Sequence, residues 1–213
     1  MSQNKMTALN AARKNTTLML AQLGVLTAII LIFEFTGIGM IKIGPVEMTI
    51  MMIPVIIGAI SIGPVAGAIL GGMFGLMSFY ECFGKSMFGV LLFGINPFAC
   101  AFMCFVPRIL AGFLTGIIFK ALKGIDRTKL ISFGIAGLSG AVLNTLFFMG
   151  SLWIFFWGSD TFISTMQIWG LSTEAFFPFA IAFVGVNGLI EAIVCFVTGS
   201  AIAKAVVKFI NRA

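Results

Sequence analysis

Long uninterrupted apolar stretches, with no period-two alternation, predict membrane-spanning helices rather than barrel strands. Six spans follow from the pattern, at about 17–35, 46–62, 66–80, 96–120, 130–157 and 175–207. The second and third are short and separated only by Ser61-Ile62-Gly63-Pro64, a turn signature. The fifth and sixth exceed the ~20 residues needed to cross a bilayer, so they are expected to tilt, kink or protrude. The fold class expected is all-α: a single membrane domain over 1–213 built as a six-helix bundle, with 1–16 as a cytoplasmic N-terminal segment. The polar N-terminus MSQNKMTALNAARKNTT does not read as a removable signal peptide.

Composition agrees. The chain is 60% hydrophobic and 9% charged, with mean hydropathy +1.15, whereas soluble domains run near about 25% charged. The net charge of +6 is not a nucleic-acid signal, because its distribution follows membrane topology. With the N-terminus inside, the inner segments hold Lys5, Arg13, Lys14, Lys120, Lys123, Arg127, Lys129, Lys204, Lys208 and Arg212, and the outer loops hold only Lys42 and Lys85. This positive-inside bias predicts cytoplasmic termini and an even number of spans in a bacterial plasma membrane. The outer loops are then about 36–45, 81–95 and 158–174. Glycines 37, 39, 44, 84, 89 and 94 make the first two permissive, as a lid or as ordinary surface loops.

Small residues mark close helix contacts. The third span carries Gly63, Gly67, Gly71 and Gly75 at four-residue spacing, the first has Gly24-x-x-x-Ala28, and the fourth has Gly112-x-x-x-Gly116. Packing within the bundle and contact with another membrane protein are both open. Cys82, Cys100, Cys104 and Cys195 imply no disulfide framework. Cys100 and Cys104 share a helix face but have no evident further ligand, so they read as packing residues and no metal is expected. The chain contains no histidine, which argues against haem ligation and most zinc sites.

Arg108 is the costly residue. It lies within PFACAFMCFVPRILAGFLTGIIFK (97–120), and a guanidinium at membrane depth costs at least about 2.5–3.5 kcal/mol on insertion scales. At about 1.5 Å per residue from the inner basic residues, Arg108 lies roughly 18 Å above the inner boundary, Asn144 roughly 22 Å, Glu191 roughly 20 Å and Asn187 roughly 26 Å. Four polar side chains on three helices therefore share the middle-to-outer zone of a core about 30 Å thick. Arg108 and Glu191 form a buried ion pair, or Arg108 anchors a carboxylate in an outward-opening pocket, or Glu191 holds the arginine between turnovers. Pro107 should disturb the helix and free backbone polar groups. Asn96-Pro97 reads first as a helix start, with Asn96 reaching a pocket only from its rim. Tyr80 reads as an interface anchor.

There is no GxxxxGK[ST], HExxH or GxSxG motif and no inverted repeat. A binding bundle without its own motor fits. The competing classes are a small intramembrane enzyme holding an anionic lipid phosphate on Arg108, with Glu191 as general base, and a structural assembly subunit.

Three stretches resemble the S components of energy-coupling factor (ECF) vitamin transporters over about 17–207. They are 48–76, containing TIMMIPVIIGAISIGPVAGAILGGMFGL; 96–116, with NP followed by PRILAGFLTG; and GLSGAVLNTLFFMG (137–150) together with NGLIEAIV (187–194). The asparagine-proline, proline-arginine and asparagine-threonine elements are most similar to the pantothenate-specific type. The resemblance implies a six-helix fold and vitamin capture from outside under the outer loops. It also implies delivery inward with a transmembrane T component and two cytoplasmic ATPases that use the ATP, the chain itself having no cofactor or enzymatic activity. It implies a T-component contact on the first helix at Ala21, Gly24 and Ala28. Arg108 would pair the pantothenate carboxylate, and Asn144, Asn96 and Asn187 would serve amide and hydroxyl groups. Phe147, Phe148 and neighbouring methionines would meet the apolar part.

Overall fold

The computed structural model describes residues 3–37, 40–43, 46–126 and 130–210. Gly39, Gly44, Arg127, Lys129 and Arg212, discussed above, lie outside that set, as do the side chains of Lys5, Arg13, Lys14, Lys42 and Asn187. The elements run α1 (Gln3–Thr36), β1 (Met40–Ile43), β2 (Val46–Thr49), α2 (Met52–Ser61), α3 (Pro64–Glu81), α4 (Met87–Ile95), α5 (Pro97–Lys123), α6 (Leu130–Phe156), α7 (Asp160–Ile168), α8 (Phe176–Val194), a π turn (Cys195–Gly199) and α9 (Ser200–Ile210).

Among the described residues, four stretches are long and apolar enough to cross a membrane: Thr16–Thr36, Pro97–Lys123, Ile131–Phe156 and Gly188–Lys208. They correspond to the first, fourth, fifth and sixth expected spans. The 18 residues of α3 reach about 27 Å, just under the hydrocarbon thickness. Large apolar side chains such as Leu20, Ile32, Ile154 and Ile181 face outward all along the bundle. That surface is unsuited to water and matches a lipid environment.

The second span is corrected. Residues 46–49 are not helical but form β2, paired antiparallel with β1 in a register that sets Lys42 opposite Glu47 and Ile43 opposite Val46. α2 starts only at Met52 and has 10 residues. The alternation in Val46-Glu47-Met48-Thr49 suits a strand, and the apolar run that favours a helix begins beyond it. Two expected loops also contain helices. α4 is capped by Ser86, whose Oγ accepts from Gly89 N, and α7 by Ser159, whose Oγ accepts from Phe162 N. The last span is interrupted by non-helical backbone at Gly185 and by the π turn, which fits the excess length read from the sequence.

α3 and α5 run antiparallel and almost backbone to backbone. A Cβ on Gly67 would strike the Gly112 carbonyl, one on Gly71 the Arg108 carbonyl, and one on Gly75 would sit 2.7 Å from Cys104 O. The glycine stripes of these two helices therefore pack the bundle internally. Gly63 stands apart from the stripe. It takes φ 138° at the sharp turn into α3, with Pro64 at the first helical position. Ala21, Gly24 and Ala28 lie on an exposed face of α1, and a Cβ on Gly24 would meet nothing within 4 Å.

Candidate functional site

A helical side chain leans toward its own N-terminus. Arg108 on α5 therefore reaches toward the end of the bundle that carries the β1–β2 hairpin, away from Lys120 and Lys123 in the last turn of the same helix. There it meets a cavity of about 100 Å³, several times the roughly 10–15 Å³ that one water needs. The walls come from four directions: Thr49 at the end of β2, Phe74 and Ser78 on α3, Phe88 on α4, and Phe148 on α6 opposite Arg108. The scale suits a small organic anion.

Arg108 is 7% exposed. Its Nη1 donates to Met103 O and its Nη2 to Ser78 Oγ at 3.2 Å. The guanidinium also lies 5.4 Å from the Phe74 ring centre and 5.1 Å from that of Phe148, a sandwich worth about 0.5–2 kcal/mol per ring. Nε is buried without a partner. Among the described residues no carboxylate lies within ion-pair distance of Arg108. The groups that touch the guanidinium are aromatic faces and neutral oxygens, while the carboxylates of Glu81 on the cavity wall and of Glu191 stand beyond ion-pair distance, which leaves Nε open to an anion.

The contact with Met103 has a cause in the sequence. Pro107 has no N–H, so the carbonyl four residues earlier, that of Met103, loses its helical donor. The adjacent guanidinium supplies one instead. This explains why α5 runs unbroken through Pro107, where a disturbance was expected. The freed carbonyl orients the arginine.

The other proposed ligand-binding residues stand farther back, and neither Asn144 nor Glu191 is on the wall of this cavity. Asn144 is buried, with Oδ1 unpartnered, one helical turn from Phe148 on α6. Glu191 has a buried, unpartnered Oε1 and lies in the field of Arg108 without forming the ion pair weighed above. Asn96 is the N-cap of α5, its Oδ1 accepting from Phe98 N and Ala99 N at 3.1 Å each. It is absent from the cavity wall. The side chain of Asn187 lies outside the described residues. Phe148 lines the cavity.

Two features were not anticipated. Cys82 caps the C-terminus of α3 and brings its sulfur to 3.4 Å from Cys100 Sγ and 3.8 Å from Cys104 Sγ, so Cys100 and Cys104 do have a third thiol beside them, in the cavity wall. Glu34, fully buried near the end of α1, accepts from Lys85 Nζ at 2.9 Å and ties α1 to the turn between α3 and α4. The pKa of Lys85 is raised, chiefly by this hydrogen bond, against a smaller opposing effect of burial. The two residues are 51 positions apart and are paired because α1 and α3 run parallel, with their C-terminal ends level, as the contact of Phe35 with Tyr80 also shows.

Comparison with known proteins places this geometry. The sequence model of the family described as "ECF transporter, substrate-specific component" matches residues 18–202. The chain belongs to that family. It is 30% identical over 179 residues to the pantothenic acid transporter PanT of Lactococcus lactis subsp. cremoris, an alignment covering 79% of this chain and 82% of that one. It is 28% identical over 183 residues to the pantothenate transporter PanT of Leuconostoc mesenteroides subsp. mesenteroides, covering 83% and 85%. The substrate-specific component is thus a membrane protein of a transport system.

Proposed function

We propose that this substrate-specific component captures pantothenate from outside a bacterial cell and delivers it inward with a transmembrane T component and two cytoplasmic ATPases. The observation that carries this reading is Arg108: a buried guanidinium in a cavity, with no carboxylate paired to it among the described residues. Pantothenate offers one carboxylate for the unpartnered Nε. Its gem-dimethyl group suits Phe74 and Phe148 on the cavity wall, and the orphan acceptors Asn144 Oδ1 and Glu191 Oε1, set behind that wall, suit its hydroxyl and amide donors once the ligand is seated. Asn187 joins them in this reading by its spacing of four from Glu191. The names of the two relatives point to the same vitamin.

Six passes, by α1, α2 together with the β1–β2 hairpin that precedes it, α3, α5, α6 and α8–α9, with both termini cytoplasmic, are supported by the basic residues gathered at the end opposite the cavity. The cavity then faces outward. The exposed small residues Ala21, Gly24 and Ala28 offer the T component a close approach to α1. ATP is bound by the partners.

Isothermal titration of the detergent-solubilised protein with pantothenate tests the proposal. Truncating one partner of a buried charge pair costs about 2–5 kcal/mol, so Arg108→Ala should weaken binding by about 30-fold to several thousand-fold. Unchanged affinity removes the arginine from the mechanism. Tight binding of a different vitamin keeps the transporter class and rejects the substrate.

A further inference from the structure

We propose that Cys82, Cys100 and Cys104 form a three-thiolate site for one soft, closed-shell metal ion of the Cu(I) class. The sulfurs of Cys82 and Cys100 are 3.4 Å apart, those of Cys82 and Cys104 3.8 Å, and all three lie within 4.8 Å of one another. Three thiolates bound at about 2.3 Å around a common ion stand about 4 Å apart in a trigonal plane. Widening the Cys82–Cys100 separation by about 0.6 Å and the Cys82–Cys104 separation by about 0.2 Å therefore brings the thiol cluster toward a ligand set. The cysteines are 5%, 0% and 3% exposed. Their backbones are fixed by the α3–α5 glycine contacts, the nearest being Gly75 against Cys104.

The donor set selects the ion. Thiolates favour soft metals. The group brought together here holds three sulfurs, and the chain has no histidine to add a fourth ligand. Structural zinc is almost always four-coordinate, whereas three soft donors satisfy Cu(I). Binding displaces three thiol protons and leaves the Cu(I) trithiolate with charge −2. Arg108 is close enough to offset part of it. Ser78 links the two, its hydroxyl accepting from Arg108 and its carbonyl accepting from the Cys82 thiol at 3.4 Å. Cys195 is buried in the other half of the bundle, in the core cluster of Ile30 and Ile56, and serves as an internal control.

The test is anaerobic titration of reduced, detergent-solubilised protein with the Cu(I)–bathocuproine disulfonate complex. One equivalent per chain should be withdrawn from the chelator by the native protein and by Cys195→Ser. Cys82→Ser and Cys104→Ser should each weaken retention at least tenfold. Copper K-edge absorption on the native protein supplies a readout independent of variant folding, with three sulfur neighbours expected at about 2.3 Å. The proposal is overturned if native protein withdraws no copper, if Cys195→Ser abolishes retention, or if the cluster variants retain it fully. A shell of two sulfurs, or one dominated by nitrogen or oxygen, overturns it as well. None of these outcomes depends on which vitamin is carried.

Discussion

Replacing Gly71 by alanine tests the close α3–α5 packing that positions Arg108. A Cβ there lands on the Arg108 carbonyl oxygen, with Ile109 Cα 3.1 Å away. The obstacle is backbone, so no side-chain rotation relieves it. Gly72 is the internal comparison: its Cβ would find only flexible Ile109 side-chain atoms, the nearest at 3.7 Å. Both substitutions gain the same helix propensity, about 1 kcal/mol over glycine. Propensity therefore cancels between the two variants and leaves the overpacking cost, about 1–3 kcal/mol. For a chain of this size each kcal/mol shifts Tm by about 2–4 °C. Gly71→Ala should melt about 2–12 °C below Gly72→Ala in the same detergent, followed by intrinsic fluorescence. Equal melting temperatures, or a higher one for Gly71→Ala, would refute the claim that the helices meet backbone to backbone.

Pro107→Ala restores the N–H that competes with Arg108 for Met103 O. The prediction is an unchanged or higher Tm, since proline in a helix interior costs about 3 kcal/mol, together with weaker pantothenate affinity by titration because the guanidinium loses its orienting acceptor. The Glu34–Lys85 pair predicts a pH dependence. The folded pKa of Lys85 lies above its free value, so the pair's contribution is complete below about pH 10 and is lost as pH rises through the raised value. The Tm gap between native protein and Lys85→Met should accordingly be widest near pH 8 and close in strong alkali.

The long apolar helices and the exceptional status of Arg108 are legible in the chain because each is a local property. A 27-residue run with one guanidinium states its own problem without reference to other elements. The hairpin was hidden because Val46–Thr49 abuts the apolar run of α2, and a hydropathy window joins the two. The period-two pattern around Gly44-Pro45 was the overlooked signal. α4 and α7, nine residues each, are too short to register as membrane spans, and the apolar run of α4 lies between Gly84 and Pro97, where glycines suggest a loop. Pairings set by how the helices pack, antiparallel for α3 and α5 and parallel for α1 and α3, could not be read. Cys82 beside Cys100 and Glu34 beside Lys85 depend on which helix ends are brought level, and neither spacing has a periodic signature.

Removing the carboxylate from the ligand examines the central claim from the other side of the proposed contact. Pantothenate and its alcohol analogue, in which a hydroxymethyl group replaces the carboxylate, are titrated into native protein and Arg108→Ala. The native protein should bind the alcohol at least about 30-fold more weakly than the acid, and Arg108→Ala should bind the two about equally. Equal native affinities, or a preference for the acid that survives loss of the arginine, would contradict the assignment of Arg108 as the carboxylate anchor.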